Sequence, residues 1–396
     1  MDSSVAQATN GASTDDYTDF EHTGPGTLAG RYMRRFWQPI YMAADLPAGH
    51  AKPIRIMSED FTLYRGETGA VHLVGNRCAH RGTQLSTGWV EGNCVRCFYH
   101  GWKYDGSGQC VEQPAEDAAF AQKVRIASYP TEEYLGLIFA HLGDEGDGAT
   151  QDTTRVAPPP LPRYPDFEEE GVLVTSTYLR PCNYYQNIEN GLDHVHVTFV
   201  HAVSGFTDAG LRGVPRVEGE ESGWGITERG VREGGVTRVL QYGVPNVQHI
   251  KGSPVDESSS WVDALSWRVP IDDTQHHSFN VNLVHVTGEA AERYQESNRR
   301  RSSGSDVNAL AAAVLRGERR MQDLSDHPNL VNIQDTVAQV GQGVIADREH
   351  ERLGRSDVLV ILLRKIWARE LRALAEGRPL KQWSRSDQLR TTTTGV

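Results

Sequence analysis

The sequence predicts an α+β protein, with an N-terminal antiparallel β domain followed by a larger domain in which an antiparallel sheet is covered by helices. Three observations predict it. At 396 residues and 43.9 kDa the chain exceeds what one core ordinarily supports, which gives two domains. Between about 50 and 142, short alternating segments are separated by glycine turns. Further on, strand-like alternation at 214–287 is framed by stretches of helical period.

The elements follow in order. Residues 1–16 have neither an apolar run nor an Arg-rich amphipathic pattern, so they predict a disordered tail and no secretory signal or transit peptide. Aromatic residues from Tyr17 to Tyr41 begin the ordered protein, and the first domain is expected over 17–150. Phe61–Tyr64 and Val71–Val74 flank a Gly-containing turn, and Tyr134–Ala140 reads as the closing strand. From 143 the composition shifts to Gly, Asp and Thr. A proline run at 158–162 follows, and residues 151–163 read as a linker. The second domain is expected over 164–396. Its first helix, near 183–202, carries Ile188, Leu192, Val195 and Phe199 at helical spacing. Helical patterns return at 306–322 and 328–345. A last helix has Ser356 as N-cap, apolar positions from Val358 to Leu374, and Gly377 as its stop.

Composition removes several function classes. The net charge of −12, with no long Lys/Arg run, argues against binding nucleic acid or an anionic membrane. The longest aliphatic run, Val358–Leu363, is too short to span a bilayer. Five cysteines are an odd number in a large chain, so no disulfide framework is expected and the chain fits a reducing cytoplasm.

Four of those cysteines lie between 78 and 110, close to two histidines. Cys78-Ala-His80 is followed, after sixteen intervening residues, by Cys97-Phe-Tyr-His100, a C-x-H and a C-x-x-H pair each beside a glycine turn. Two thiolates and two imidazoles suit a two-iron, sulfide-bridged cluster with one iron held by each type, and the imidazoles raise its potential. Zinc is the competing reading, through Cys94-Val-Arg-Cys97 and His100. A zinc knuckle needs a second pair, however, and C-x-H is not its usual form. Cys94, Cys110 and Cys182 then remain as spare thiols. The pattern resembles the Rieske [2Fe–2S] motif, and residues 50–142 resemble a Rieske domain.

A second constellation runs from Glu189 to His201. Glu189, Asp193 and His196 share a helical face, and His201 lies five residues past His196, where the helix must bulge or end. Two imidazoles and a carboxylate would form the facial triad of a non-haem Fe(II) site. A zinc-hydrolase site or a chance surface cluster is the alternative. No H-E-x-x-H is present to support a metalloprotease. Asp193, His196 and His201 match the D-x-x-H-x-x-x-x-H motif of the catalytic α subunits of Rieske non-haem iron ring-hydroxylating oxygenases. The words Gly24–Gly30 and Phe36-Trp37-Gln38-Pro39 resemble the branch containing phthalate 4,5-dioxygenase.

That resemblance implies the rest. His196 and His201 would bind the iron, with Asp335 of Gln334-Asp335 as third ligand and Asp323, Asp326 and Asp347 as rivals. Asp193 would carry electrons between subunits of a head-to-tail homotrimer, from the cluster of one chain to the iron of the next. An NAD(P)H-dependent reductase with flavin and [2Fe–2S] would be a separate partner, since no G-x-G-x-x-G opens a helix here. The expected reaction is hydroxylation of an aromatic compound with O₂, in catabolism of such compounds, by dioxygenase or monooxygenase chemistry. The alternatives are O- or N-demethylation by the same machinery, or a Rieske electron carrier without catalysis of its own. The pocket is expected among residues 203–285, including Phe206, Tyr242, His249, Trp261, Trp267, His276 and His277. Arg212 or Arg216 could hold an aromatic carboxylate there.

Overall fold

The computed structural model describes residues 17–143, 158–204, 211–234, 236–252, 262–302, 306–385 and 391–394. The predicted tail 1–16 and most of the predicted linker lie outside them, as do Phe206 and Trp261.

The N-terminal part is built from three small antiparallel sheets. Strands β1 (Gln38–Met42), β10 (Thr131–Tyr134) and β11 (Leu137–Ala140) form one sheet in the order β1-β11-β10. Strands β2 (His50–Ile56), β3 (Glu59–Arg65), β4 (Val71–Gly75) and β9 (Ser128–Tyr129) form the second. The third is a meander of β5 (Trp89–Glu91), β6 (Cys94–Arg96), β7 (Lys103–Asp105) and β8 (Cys110–Glu112). The expected closing strand over Tyr134–Ala140 is instead a tight hairpin. Leu135 and Gly136 both take positive φ (50° and 75°), the backbone that a two-residue hairpin turn demands, and the chain reverses there.

The C-terminal part is an eight-stranded antiparallel sheet with helices on one face. Its main path runs β12 (Val172–Arg180), β18 (Gln275–Val284), β17 (Val262–Asp272), β16 (Val247–Gly252), β15 (Thr237–Gly243), β14 (Gly225–Val231) and β13 (Arg216–Glu221). Strand β19 (Thr392–Thr394) adds to β15. Alternation sorts the strand residues onto two faces. One face carries Leu265, Trp267, Phe279 and Val281 into the main core, where Trp267 meets Phe139 of β11 edge-on at 5.6 Å. Both parts of the chain therefore share one apolar core.

The other face of the sheet is polar and meets the helices. After α1 (Leu28–Arg34) and α2 (Ala118–Ala121) in the N-terminal part, these are α3 (Tyr184–Leu192), α4 (His196–Val200), α5 (Gly288–Ser302), α6 (Val307–Leu315), α7 (Leu330–Val340) and α8 (Val358–Ala375). Asn187 of α3 bonds His276 and Ser278 of β18, and Arg180 of β12 donates to Thr336 and Gln339 of α7. The last helix ends at Gly377 as expected, with positive φ. Its N-cap position is Asp357 rather than Ser356.

Candidate iron–sulfur and mononuclear iron sites

Each half of the first constellation sits on a β-turn. Gly82 N–H closes onto Cys78 O at 2.9 Å, and Gly101 N–H onto Cys97 O at 3.1 Å. Both glycines have φ of 74°, a conformation that a side chain disfavours. The cysteines are buried in one small core, whereas His80 and His100 stand exposed with ring centroids 4.5 Å apart. Tyr104 Oη accepts the Ala79 N–H at 3.2 Å and lies 3.3 Å from Cys78 Sγ, so its own proton is available to the sulfur. Trp102 stacks on His80 at 4.6 Å. Arg96 donates to Gly101 O at 2.7 Å and is clamped by Glu91 and Glu112, whose carboxyls its hydrogen bonds hold down to about 2.

The four donors do not meet at a point. Among the described residues, metal-ligating side chains converge within 4.8 Å only at His196, His201 and Asp335 and at Asp19, Glu21 and His22. A tetrahedral zinc would gather its four ligands. Two buried sulfurs below two exposed imidazoles fit a two-iron cluster, one iron on each pair.

The second constellation is not one helix. Helix α3 ends at Leu192, and Asp193 is extended (φ −89°, ψ 105°). Its carboxylate accepts the N–H groups of Val195 at 2.7 Å and His196 at 3.2 Å, and so starts α4. An aspartate offers the backbone this alternative to a continuous helix. The break falls before His196, not between the histidines, and His201 becomes the C-cap of α4.

This kink faces α7. His201 Nε2 lies 3.3 Å and His196 Nε2 3.9 Å from Asp335 Oδ1, and the two rings are 5.3 Å apart. Gln334 Oε1 is 2.8 Å from His201 Nδ1. An amide oxygen there accepts the Nδ1 proton, which turns Nε2 toward Asp335, where it donates to the carboxylate while protonated and offers a lone pair once that proton is lost. The Asp335 carboxyl is held down to about 2. Burial opposes this, and the His201 hydrogen bond and the Arg180 charge outweigh burial. Asp193 Oδ2 stands 3.8 Å behind His196 Nδ1, a buried nitrogen with no hydrogen-bond partner among the described residues. The rivals lie elsewhere. Asp323 pairs with Arg320, Asp347 pairs with His350, and Asp326 is exposed. Two imidazoles and one carboxylate on one side suit iron with open positions opposite.

Some expectations for the surroundings do not hold. Glu189 does not join the triad; it pairs with Arg348 and Arg364. Arg212 and Arg216 are exposed. The buried arginines on the helix-facing side of β14 and β15 are Arg232 and Arg238, which sequence reasoning missed because each merely ends a strand beside the Glu233-Gly234 turn. Tyr242 and His276 share that face, whereas His249, Trp267 and His277 lie on the opposite one. Gln334 and Tyr104 were missed too, their only signal being a polar residue next to a candidate ligand or inside a strand. A cleft of about 2200 Å³ between the two parts of the chain is lined by Trp37, Arg77 and Trp383 and does not include the triad.

Comparison with known proteins bears on the family and the fold. Residues 36–130 match the Rieske [2Fe-2S] domain. The chain is 30% identical to the phenoxybenzoate dioxygenase subunit alpha of Ectopseudomonas oleovorans, over 89% of this chain and 84% of that one. This chain belongs to the Rieske non-haem iron oxygenases. It is also 29% identical to the 5,5'-dehydrodivanillate O-demethylase oxygenase subunit of Sphingobium sp. (strain NBRC 103272 / SYK-6), over 89% of this chain and 79% of that one. The fold matches the terminal oxygenase of carbazole 1,9a-dioxygenase from Novosphingobium sp. KA1, with a TM-score of 0.64 at 21% identity, covering 93% of this chain and 96% of that chain. The protein is thus the oxygenase component of a multicomponent system, an oxidoreductase with a Rieske cluster and a mononuclear iron that receives its electrons from a protein partner. Among the described residues, no helix is long and apolar enough to cross a membrane.

Proposed function

We propose that this oxygenase hydroxylates an aromatic substrate with O₂ and electrons that a reductase takes from NAD(P)H. The observation that carries this reading is the convergence of His196, His201 and Asp335, with Asp193 standing behind His196. Cys78 and Cys97 would hold one iron of the cluster and His80 and His100 the other. His196, His201 and Asp335 would hold the mononuclear iron. When bound, the cluster supplies single electrons and the iron activates O₂.

The chain's own residues set the conditions for that chemistry. Gln334 keeps the proton of His201 on Nδ1, and Asp335 stays ionised at any physiological pH. Tyr104 offers a hydrogen bond to the Cys78 sulfur. Asp193 is placed to accept from His196 on one side and from an exposed cluster imidazole, His100, of a neighbouring subunit on the other. A head-to-tail homotrimer supplies that neighbour.

Iron counting tests this reading. The full protein should hold about three irons per chain, and Asp335→Ala should keep about two with an unchanged cluster spectrum. Two irons in the unaltered protein would leave only an electron carrier. The demethylating alternative is favoured by the dehydrodivanillate O-demethylase relative. Turnover of candidate aromatics with labelled O₂ separates the two, since formaldehyde without a ring diol identifies demethylation.

A further inference from the structure

The three residues of the triad come from two distant stretches of chain. His196 and His201 follow α3, and Asp335 lies on α7, so the placing of α7 against α3 decides whether they meet. Two hydrogen bonds across that gap belong to the site itself, one between Gln334 and His201 and one between Asn190 and Asp335. Others lie outside it and converge on one turn of α7. Gln186 of α3 donates to Gln339 O at 2.8 Å and to Gly343 O at 3.0 Å. Arg180, the last residue of β12, donates from Nη1 to Gln339 Oε1 at 2.7 Å and from Nε to Thr336 Oγ1 at 3.3 Å. Thr336 adjoins Asp335, and Gln339 stands one turn beyond it on the same helix face.

The chemistry of arginine suits this contact. Arg180 is fully buried, and a guanidinium keeps its charge there. Its planar fork donates in fixed directions, so two acceptors three residues apart on a helix are gripped in one orientation. The guanidinium carbon lies over the Tyr178 ring, 5.0 Å from its centre, which restrains the plane of the fork. Just past Arg180 the chain enters α3. Cys182 O accepts from His276, and the Asn183 side chain caps α3 by accepting the Tyr185 N–H at 3.0 Å. A single side chain thus ties the end of β12 and the start of α3 to the turn of α7 that carries Asp335.

We infer that Arg180 is a positioning residue of the mononuclear iron site, holding the Asp335 turn of α7 opposite His196 and His201 and so setting how firmly the site retains iron. It acts through Thr336 and Gln339 rather than on the metal. Partners of this kind behind a metal ligand govern metal affinity because they fix the ligand's orientation. This inference rests on the triad being the oxygenase iron centre.

The test reads iron rather than turnover and uses the full protein with its cluster loaded. Arg180→Lys loses the fork, and Gln339→Leu loses its main acceptor. Both leave a positive charge at position 180, so a change reports position and not charge. Loss of the third iron to a ferrous chelator should be about tenfold faster or more in each variant. The electron paramagnetic resonance signal of the ferrous site with nitric oxide, read with the cluster oxidised, should broaden in each, because Asp335 no longer holds one position. Combining the substitutions should cost no more than Arg180→Lys alone, since both remove one contact. Unchanged iron retention with an unchanged nitric oxide signal overturns the inference, even where the melting temperature falls. Additive losses overturn it too, because they give the two residues separate roles. Should Arg180→Lys fail to fold, Gln339→Leu decides alone, with the arginine still in place. A third iron missing from the unaltered protein refutes the triad, whereas a third iron held equally firmly in the variants refutes only the role of Arg180.

Discussion

Asp193 does two jobs with one carboxylate. One oxygen caps α4 through Val195 and His196, and the other faces the back of His196. The jobs separate by substitution. Asp193→Asn keeps a cap acceptor and should leave stability nearly unchanged, whereas Asp193→Ala should cost about 1 kcal/mol in denaturant unfolding. Both should keep all three irons per chain and lose at least about tenfold in product formed with the reductase. Normal turnover in Asp193→Asn would remove the electron-bridge role. Tyr104 supports an equally specific expectation. Its hydroxyl favours electron density on the Cys78 sulfur, so Tyr104→Phe should lower the cluster potential. One hydrogen bond of about 1 kcal/mol corresponds to roughly 40 mV for a one-electron couple. A potential unmoved in redox titration would show that the bond is not made in the loaded protein.

At the scale of elements, the decisive feature is the break between α3 and α4. Helical period was legible from Ile188 to Phe199, and so was the difficulty of placing His201 five residues after His196. The position of the break was not legible, because it depends on which backbone N–H groups the Asp193 carboxylate reaches. Helix α3 is anchored to the sheet by a buried histidine. His276 Nε2 accepts from Asn187 at 2.8 Å, and Nδ1 donates to Cys182 O at 2.8 Å. Burial, helped by the charge of Arg180, lowers its pKa to about 3. The unfolded chain therefore binds a proton at His276 that the folded chain refuses. Its contribution is fully present above about pH 6.5 and is lost as pH falls toward 3, at up to about 1.4 kcal/mol per pH unit. Melting temperatures between pH 7 and 4.5 should fall less steeply for His276→Gln than for the unaltered protein. Parallel curves would show that another group governs the acid limb.

At the scale of the molecule, the two sites present apolar surface to solvent. Phe98 (67% exposed) and Tyr99 adjoin His100, and Phe199 and Val203 (67% exposed) flank His201. Large exposed apolar groups beside both ends of the proposed electron path fit a subunit contact. The protein should sediment at about 130 kDa, three times its chain mass. Phe98→Asp should yield lighter species that keep both metal centres and lose turnover. A monomer that turns over normally would exclude transfer between subunits.

The sequence by itself determined the candidate ligand types and their local spacing. Cys78, His80, Cys97 and His100 lie on short turns, and His196 and His201 lie within one turn-and-a-half of chain, so their grouping needs no distant contact. It also determined the alternation that gives the sheets and the period that gives the last helix. The tertiary structure decided what depends on residues far apart in the chain. The packing of α7 against α3 and α4 singles out Asp335 over Asp323, Asp326 and Asp347 and brings Gln334 onto His201. Strand register turned Arg232 and Arg238 inward while Arg212 and Arg216, equally plausible by type, stayed in water. A side chain's charge is written in the sequence, but the solvent and partners that give the charge its consequence are set by the fold.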